Sequence, residues 1–163
     1  MRKRIFLGVN ILLSLILFGC NGSDNNSIFG KYVFDEPIYI SSLNSLSKDA
    51  VIENNREASY TAKKESFEVN LTDSKFMVSN PKYEKIEMDE NQVKDFNIAV
   101  FNAVDISGYK KRCQYVIYDE NDQKIQYYVY AMDDEIWLAS YFHTSATDKD
   151  IIFSIFKLKK ENT

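Results

Sequence analysis

The segment YKKRCQYVIYDENDQKIQYYVYAMDDEIWLASYF, residues 109–142, constrains the fold more than any other part of the chain. It contains three runs rich in Tyr, Val, Ile and Trp, separated by the turn-forming clusters DEND and MDD, and this pattern predicts an antiparallel meander. Because side chains alternate along a strand, one sheet face is predicted to bury three apolar sets. These sets are Cys113, Tyr115 and Ile117; Ile125, Tyr127 and Val129; and Ile136, Leu138 and Phe142.

Further strands are predicted before and after this meander. GKYVFDEPIYI, residues 30–40, reads as a strand that is broken or bulged at Pro37, because proline donates no hydrogen bond to a neighbouring strand. SYTAKKESFEVN, SKFMVSN and PKYEKIEM also have strand character. The strand from Ile151 to Leu158 is apolar on both sides, which predicts that a helix or a second sheet covers one of its faces.

Two short helices are predicted between these strands. Leu43, Leu46, Ala50 and Val51 recur at helical spacing, which predicts a short helix from about Ser47 to Glu57 with Ser45 or Ser47 as the N-cap candidate. A second helix is predicted from Glu90 to Asn102, with Asp89 as its cap candidate. Residues 28–163 are therefore expected to form a single domain of mainly β (α+β) class.

Two architectures fit about eight strands with one or two short helices: a small antiparallel barrel, or a strongly curved sheet with packed helices. Gly30 and Tyr32 stand where lipocalins carry a Gly-x-Trp motif, and several hairpins follow toward the end of the chain. In these features the domain weakly resembles a lipocalin. That resemblance implies a barrel, whereas the curved α+β sheet is the competing architecture.

The first residues have the organisation of a secretory signal. Arg2, Lys3 and Arg4 precede an apolar run from Ile5 to Phe18, about fourteen residues long where a membrane-spanning helix needs roughly twenty. After Cys20, the stretch NGSDNNS has no apolar residue, and its composition predicts a solvated tether through residue 27.

Leu17, Phe18, Gly19 and Cys20 resemble the lipobox of bacterial lipoproteins, although Phe18 is bulkier than the residue usual at its place. The resemblance implies cleavage of a signal peptide, residues 1–19, and a lipid anchor on Cys20 that labelled palmitate would reveal. It also implies a membrane-anchored protein of the cell envelope that faces away from the cytoplasm. In that family an aspartate directly after the cysteine is associated with retention in the inner membrane, so the resemblance, with Asn21 at that position, implies the outer membrane if the cell has two membranes. The alternatives for Cys20 are an ordinary thiol behind a conventional signal peptide, or an uncleaved short anchor.

Charge limits the partners of the mature chain. The whole chain has a formal charge of −4, and loss of the three basic residues of the signal leaves −7. A surface this acidic argues against nucleic acid or anionic lipid as the main partner. The predicted contacts are the membrane, through the N-terminal lipid, and either a protein partner or a small-molecule ligand.

The residues of common catalytic and cofactor sites are sparse. His143 is the only histidine, and nothing in the chain order ties it to Cys113. Cys113 is expected to be a buried apolar residue on one strand face with Tyr109, Tyr115 and Ile117. The carboxylates of DEND and MDDE occupy turn positions and lack the calcium-loop order, so turn formation explains them. We predict no catalytic residue, metal ligand or cofactor.

Aromatic side chains are the remaining candidates for recognition. Alternation places Tyr128, Tyr130, Trp137 and Tyr141 opposite the predicted core face, where they form a patch too apolar to stay exposed without a reason. Either the two helices cover this patch or it binds a partner. The favoured function is a tethered module that binds a protein or small ligand at the envelope. The alternatives are an envelope hydrolase with unidentified carboxylates and a purely structural envelope lipoprotein.

Overall fold

The computed structural model describes residues 28–144 and 149–161. The predicted signal peptide, Cys20 and the predicted tether lie outside the described residues. In chain order the elements are β1 (Gly30–Ile40), α1 (Lys48–Asn55), β2 (Ser59–Ala62), β3 (Ser66–Asn70), β4 (Lys75–Ser79), β5 (Lys82–Glu87), α2 (Glu90–Ala99), β6 (Arg112–Tyr118), β7 (Lys124–Met132), β8 (Glu135–Thr144) and β9 (Lys149–Lys160). Neither described helix is long and apolar enough to cross a membrane.

These nine strands form one antiparallel sheet in the order β4-β3-β2-β1-β9-β8-β7-β6-β5. Sheet neighbours are also neighbours in the chain except at β1 and β9, which pair the first strand with the last. Only Asn80 and Pro81 separate the edge strands β4 and β5, so the sheet curls until its two edges approach each other at that link. The result is a curled half-barrel, which confirms the predicted mainly β fold with two short helices.

The inner face of the half-barrel is a packed core that joins both halves of the sheet. Phe67 of β3 and Phe76 of β4 lie 6.1 and 5.3 Å, between ring centroids, from Tyr127 of β7. The Tyr83 hydroxyl of β5 donates a hydrogen bond of 2.9 Å to the carbonyl of Lys63, between β2 and β3. Most residues predicted for the core face are buried here, namely Cys113, Ile117, Ile125, Tyr127, Val129, Ile136 and Leu138.

Three predicted positions differ from this core assignment. Tyr115 is only partly buried against the inner core, and Phe142 is partly buried outside it. Tyr109 was expected beside Cys113, and that expectation is wrong, because Tyr109 packs against Trp137 on the outer face. Since β6 begins only at Arg112, the strand alternation does not extend back to Tyr109.

The first strand contains the predicted irregularity at Pro37. The register of β1 against β9 shifts between Phe34 and Glu36, and again between Pro37 and Tyr39. A β-bulge accommodates a residue that donates no hydrogen bond to the neighbouring strand and bends the strand locally. The interruption predicted at Pro37 is therefore confirmed as a bulged region in a continuous strand.

Both helices begin at predicted caps. The Ser47 side chain accepts a hydrogen bond of 3.2 Å from the backbone N–H of Ala50, so Ser47 is the N-cap of α1. Asp89 caps α2 in a capping box with Gln92. The second helix ends at Ala99, before its predicted end, because Phe101 and Asn102 adopt positive φ angles of 52° and 56°.

The outer face of the sheet carries α2 and the chain that follows it. Phe96 of α2 and Val100, Val104 and Ile106 after it are buried in a second core. Ile152 and Ile155 of β9 belong to this outer core, whereas Phe156 pairs with Leu138 on the inner side. Packing on both faces explains why β9 is apolar on both sides.

Candidate functional site

The four aromatic residues predicted for recognition lie on the outer face but do not form an exposed patch. The exposed fractions are 6% for Tyr128, 2% for Tyr130, 1% for Trp137 and 6% for Tyr141. The cover comes from α2, whose Phe96 ring lies edge-on to Tyr130 at 5.3 Å, and from the segment after it. The alternative of an uncovered aromatic surface is therefore wrong. The sequence analysis allowed both helices to cover these aromatic residues, but α1 packs against β1 and does not cover them.

Trp137 belongs to a polar network that does not include the other three aromatic residues. Its indole N–H donates a hydrogen bond of 2.9 Å to Glu135, whose carboxylate also accepts from the Tyr109 hydroxyl at 3.2 Å. Lys157 completes the network with an ion pair of 2.8 Å to the other Glu135 oxygen. The polar atom of Trp137 already has its partner, so this network stabilises the sheet.

Tyr128 and Tyr141 stack on each other beside a charged group. Their ring centroids are 4.2 Å apart with an interplanar angle of 12°. Lys124 Nζ lies 5.5 Å from the Tyr128 ring centroid and 5.0 Å from that of Tyr141, within the range of cation–π attraction. The Tyr141 hydroxyl donates a hydrogen bond of 2.6 Å to the carbonyl of Ile125, which holds the stacked pair in place.

Asp150 contacts three side chains in this region. Lys124 Nζ lies 2.7 Å from its Oδ2, the Tyr128 hydroxyl donates to the same oxygen, and His143 Nδ1 lies 3.1 Å from Oδ1. The pairing of β8 with β9 places His143 directly opposite Asp150. We call Lys124, Tyr128, His143 and Asp150 the Asp150 cluster.

The cluster keeps its carboxylate ionised and its tyrosine neutral. Burial acts to raise the pKa of Asp150, but hydrogen bonds from Lys124, Tyr128 and His143 outweigh it and the pKa is lowered. Burial, followed by the hydrogen bond to Asp150, raises the pKa of Tyr128 well above its usual value. At neutral pH the cluster therefore presents a carboxylate to its surroundings.

A cavity of about 320 Å³ lies between α2 and the strands β6, β7 and β9. The Asp150 cluster contributes Tyr128 and Asp150 to its wall, and Tyr130 also lines it. The remaining lining residues combine polar side chains with an apolar helix face. They are Gln92, Asp95, Phe96, Ile98 and Ala99 of α2, Gln114 of β6, and Lys149 and Ile152 of β9.

Local sequence positions α2 above this cavity. The Asp89 carboxylate accepts hydrogen bonds from the backbone N–H groups of Asn91 and Gln92, at 2.7 and 3.2 Å. The Gln92 side chain returns a bond of 3.2 Å to the Asp89 N–H. At the other end the positive φ angle of Phe101 turns the chain away from the helix. Asp95, Ile98 and Ala99 are thereby held on the wall of the cavity.

The other carboxylates considered from the sequence hold turns. Asp119 accepts hydrogen bonds of 2.9 Å from the N–H groups of both Asn121 and Gln123. Asp133 accepts from the N–H groups of Lys110 and Lys111, at 3.1 and 2.8 Å. Across residues 28–144 and 149–161, no group of three or more His, Cys, Asp or Glu side chains is arranged to hold a metal ion.

The cavity is lined by two residues that the sequence analysis predicted for recognition and by several that it did not. Tyr128 and Tyr130 were selected from strand alternation, whereas Asp150, Gln114 and Asp95 were not. Asp95 lies three residues after Gln92 in the predicted helix, so the two side chains are expected on the same face. Helical spacing could therefore have indicated that Asp95 and Gln92 line one surface. The role of Asp150 depends on contacts with two other strands, and no local pattern marks it.

Comparisons with known proteins gave no relative: no protein-family model, curated protein or solved structure matches the chain.

Proposed function

We propose that this protein is a lipid-anchored lipoprotein of the cell envelope whose half-barrel domain binds a small ligand in the cavity beneath α2. Cys20 is the proposed lipidation site, behind a signal peptide of residues 1–19 that resembles those of bacterial lipoproteins. The domain faces away from the cytoplasm, on the outer membrane if the cell has two membranes.

The observation that carries the binding proposal is the composition of the cavity. Small-molecule sites in proteins are concave, about 300–1,000 Å³ in volume, and combine apolar walls with a few convergent polar groups. The cavity beneath α2 has a volume of about 320 Å³, at the lower end of that range. Phe96, Ile98 and Ile152 supply apolar wall, and Gln114 and Asp150 supply polar groups. These dimensions suit a ligand of amino-acid size.

The interior of the half-barrel is filled by side chains, which favours a ligand site on the outer face over one inside the half-barrel. Tyr60, Phe67 and Tyr127 fill the interior with packed rings. A pocket beside Tyr60 and Leu138 has a volume of only about 20 Å³, room for about one water molecule. Binding in the manner implied by the weak lipocalin resemblance would require this packing to open.

The anchor is tested by substituting its cysteine. In bacteria grown with labelled palmitate, the parent protein is expected to carry label and to sediment with membranes. The Cys20→Ser variant is expected to lose the label and to appear in the soluble fraction, because it has no thiol to acylate. Cys113→Ser is the matched control, since it removes a buried thiol outside the predicted lipobox. Equal labelling of the Cys20→Ser variant and the parent would refute lipidation at Cys20.

The ligand site is tested by nuclear magnetic resonance on residues 21–163, which are the tether and the domain without the acylated cysteine; this protein is called the mature domain below. A panel of small soluble cations, anions and neutral molecules is titrated into labelled protein, and the shifted amides are mapped. We expect at least one saturable shift pattern centred on α2, β6 and β7. Ala99→Phe, which puts a ring into the cavity wall, should abolish it, whereas Ala103→Phe, on the exposed loop after α2, should not. Shifts centred elsewhere, or a silent panel, would refute binding in this cavity.

A further inference from the structure

Tyr130 brings a hydroxyl that makes no hydrogen bond within the described residues to the wall of the cavity. The residue is 2% exposed, and its hydroxyl makes no hydrogen bond to any residue within 28–144 or 149–161. Its neighbours Tyr128 and Tyr141 both have a hydrogen-bond partner for their hydroxyls. The Tyr130 hydroxyl is therefore positioned to contact whatever occupies the cavity.

Two carboxylates, those of Asp95 and Asp150, line the same cavity as this hydroxyl. An ionised carboxylate has about four acceptor positions, and Lys124, Tyr128 and His143 occupy three of those on Asp150. Asp95 lines the cavity from α2, and its side chain makes no hydrogen bond within the described part of the chain. Lys149 also lines the cavity, but it is exposed and its long side chain can extend into water. The carboxylates therefore leave acceptor positions for a donor inside the cavity.

The aromatic side chains of the cavity wall favour a positively charged ligand. Phe96, Tyr128 and Tyr130 all line the cavity, and aromatic ring faces attract cations. Next to the cavity, the chain's own ammonium group on Lys124 already lies over the Tyr128 ring at 5.5 Å while it pairs with Asp150. This arrangement combines an ammonium group, a tyrosine ring and a carboxylate.

We propose that the cavity beneath α2 binds the primary ammonium group of a small organic cation, an inference that rests on the proposed ligand-binding function. The ammonium group donates hydrogen bonds to the Tyr130 hydroxyl oxygen and to the carboxylates of Asp95 and Asp150. The carbon chain of the ligand packs against Phe96 and Ile98. The Gln114 side-chain carbonyl is a further acceptor on the same wall.

The electrostatic environment of Tyr130 supports this assignment. Burial, followed by the negative charge of Asp150, raises the pKa of Tyr130. The charge of Asp150 also contributes to the raised pKa of Tyr141, on the next strand. A positive group near these hydroxyls is stabilised by the negative charge of Asp150.

The test compares three probes of nearly equal size and different charge: n-butylammonium, n-butanol and n-butyrate. Each is titrated into the labelled mature domain at pH 7 and constant ionic strength. We expect n-butylammonium to give saturable shifts at α2 and at Tyr130, with a Kd in the millimolar range. The neutral and anionic probes are expected to bind at least tenfold more weakly.

Two conservative variants and their controls locate the contacts. Tyr130→Phe removes only the hydroxyl, and Asp95→Asn removes one charge on an exposed helix position; each is expected to weaken n-butylammonium binding at least threefold. Tyr60→Phe removes a buried tyrosine hydroxyl on the inner face, and Asp73→Asn removes an exposed charge between β3 and β4. Neither control is expected to change the affinity.

The outcomes separate this inference from the function on which it rests. If n-butanol or n-butyrate binds in the cavity as tightly as n-butylammonium, the ammonium assignment is wrong and ligand binding beneath α2 stands. If Tyr130→Phe and Asp95→Asn bind n-butylammonium like the parent, the assignment is also wrong. If neither these probes nor the wider panel shifts the residues of the cavity, both proposals are refuted.

Discussion

Replacement of Tyr60 by phenylalanine is expected to stabilise the domain. Tyr60 lies in β2, is 1% exposed, and its buried hydroxyl has no hydrogen-bond partner in the described structure. Its ring packs edge-on against Phe67 at 5.3 Å and lies 5.5 Å from the Tyr32 ring. Phenylalanine keeps both ring contacts and removes only the polar atom.

The expected gain is the difference between two effects. An unsatisfied buried hydroxyl costs about 1–3 kcal/mol. Removal of one oxygen leaves a void of about 10–15 Å³, which at about 24 cal/mol per Å³ costs roughly 0.3 kcal/mol. We therefore expect Tyr60→Phe to raise the free energy of unfolding by about 0.7–2.7 kcal/mol. For a domain of about 140 residues, this corresponds to an increase in Tm of roughly 2–11 °C.

Urea unfolding followed by fluorescence measures this change, because Trp137 is the only tryptophan and is buried. The midpoint should rise without a change in m-value. Tyr141→Phe is the matched control: its hydroxyl donates to the Ile125 carbonyl at 2.6 Å, so its loss should cost about 0.5–1.5 kcal/mol. If Tyr60→Phe lowers the midpoint as Tyr141→Phe does, the Tyr60 hydroxyl has a partner, such as a buried water, and the reasoning is wrong.

Alkaline pH provides a second measurement on the same variant. Burial raises the pKa of Tyr60 above its usual value of 10.0. Above pH 10 the unfolded chain therefore loses this proton while the folded chain keeps it. The stability contributed below pH 10 is then lost at about 1.4 kcal/mol per pH unit until the folded group titrates. Because phenylalanine has no such proton, the advantage of Tyr60→Phe over the parent should widen above pH 10.

Four further substitutions or conditions test the packing. Trp137→Ala should destabilise the domain by about 3–5 kcal/mol in urea unfolding followed by circular dichroism, because it empties a fully buried site; a parent-like midpoint would contradict burial. Asp89→Ala should cost about 1 kcal/mol through loss of the capping box, whereas an unchanged midpoint would mean that α2 does not need its cap. Because the pKa of Asp150 is lowered, its stabilising effect is present above the unfolded pKa and lost as pH falls through the folded pKa; Asp150→Asn should therefore show a weaker loss of stability below about pH 4. The Cys113 thiol should react slowly with thiol reagents in the native domain and rapidly after denaturation, and fast native labelling would refute its burial.

Local patterns in the sequence determined most of the secondary structure and the face of each central strand. The caps Ser47 and Asp89 could be predicted because a cap depends on hydrogen bonds within a few residues. Ile125, Tyr127 and Val129 could be assigned to one face because strand alternation has a period of two. The same rule gave the wrong face for Tyr109, because β6 begins at Arg112 and Tyr109 is not part of a strand.

Only the tertiary structure decided what covers the aromatic side chains and which groups meet at the cavity. The sequence places Tyr130 and Trp137 opposite the inner core, but α2 and the chain after it determine that both are buried. Asp150 gathers partners from β7 and β8 that precede it by up to 26 residues. Cavities form where side chains from separate elements fail to fill the space between them, and the sequence of one element does not specify its neighbours. The predicted signal peptide depends on a local sequence pattern, whereas the cavity beneath α2 forms only when the sheet and the helix come together.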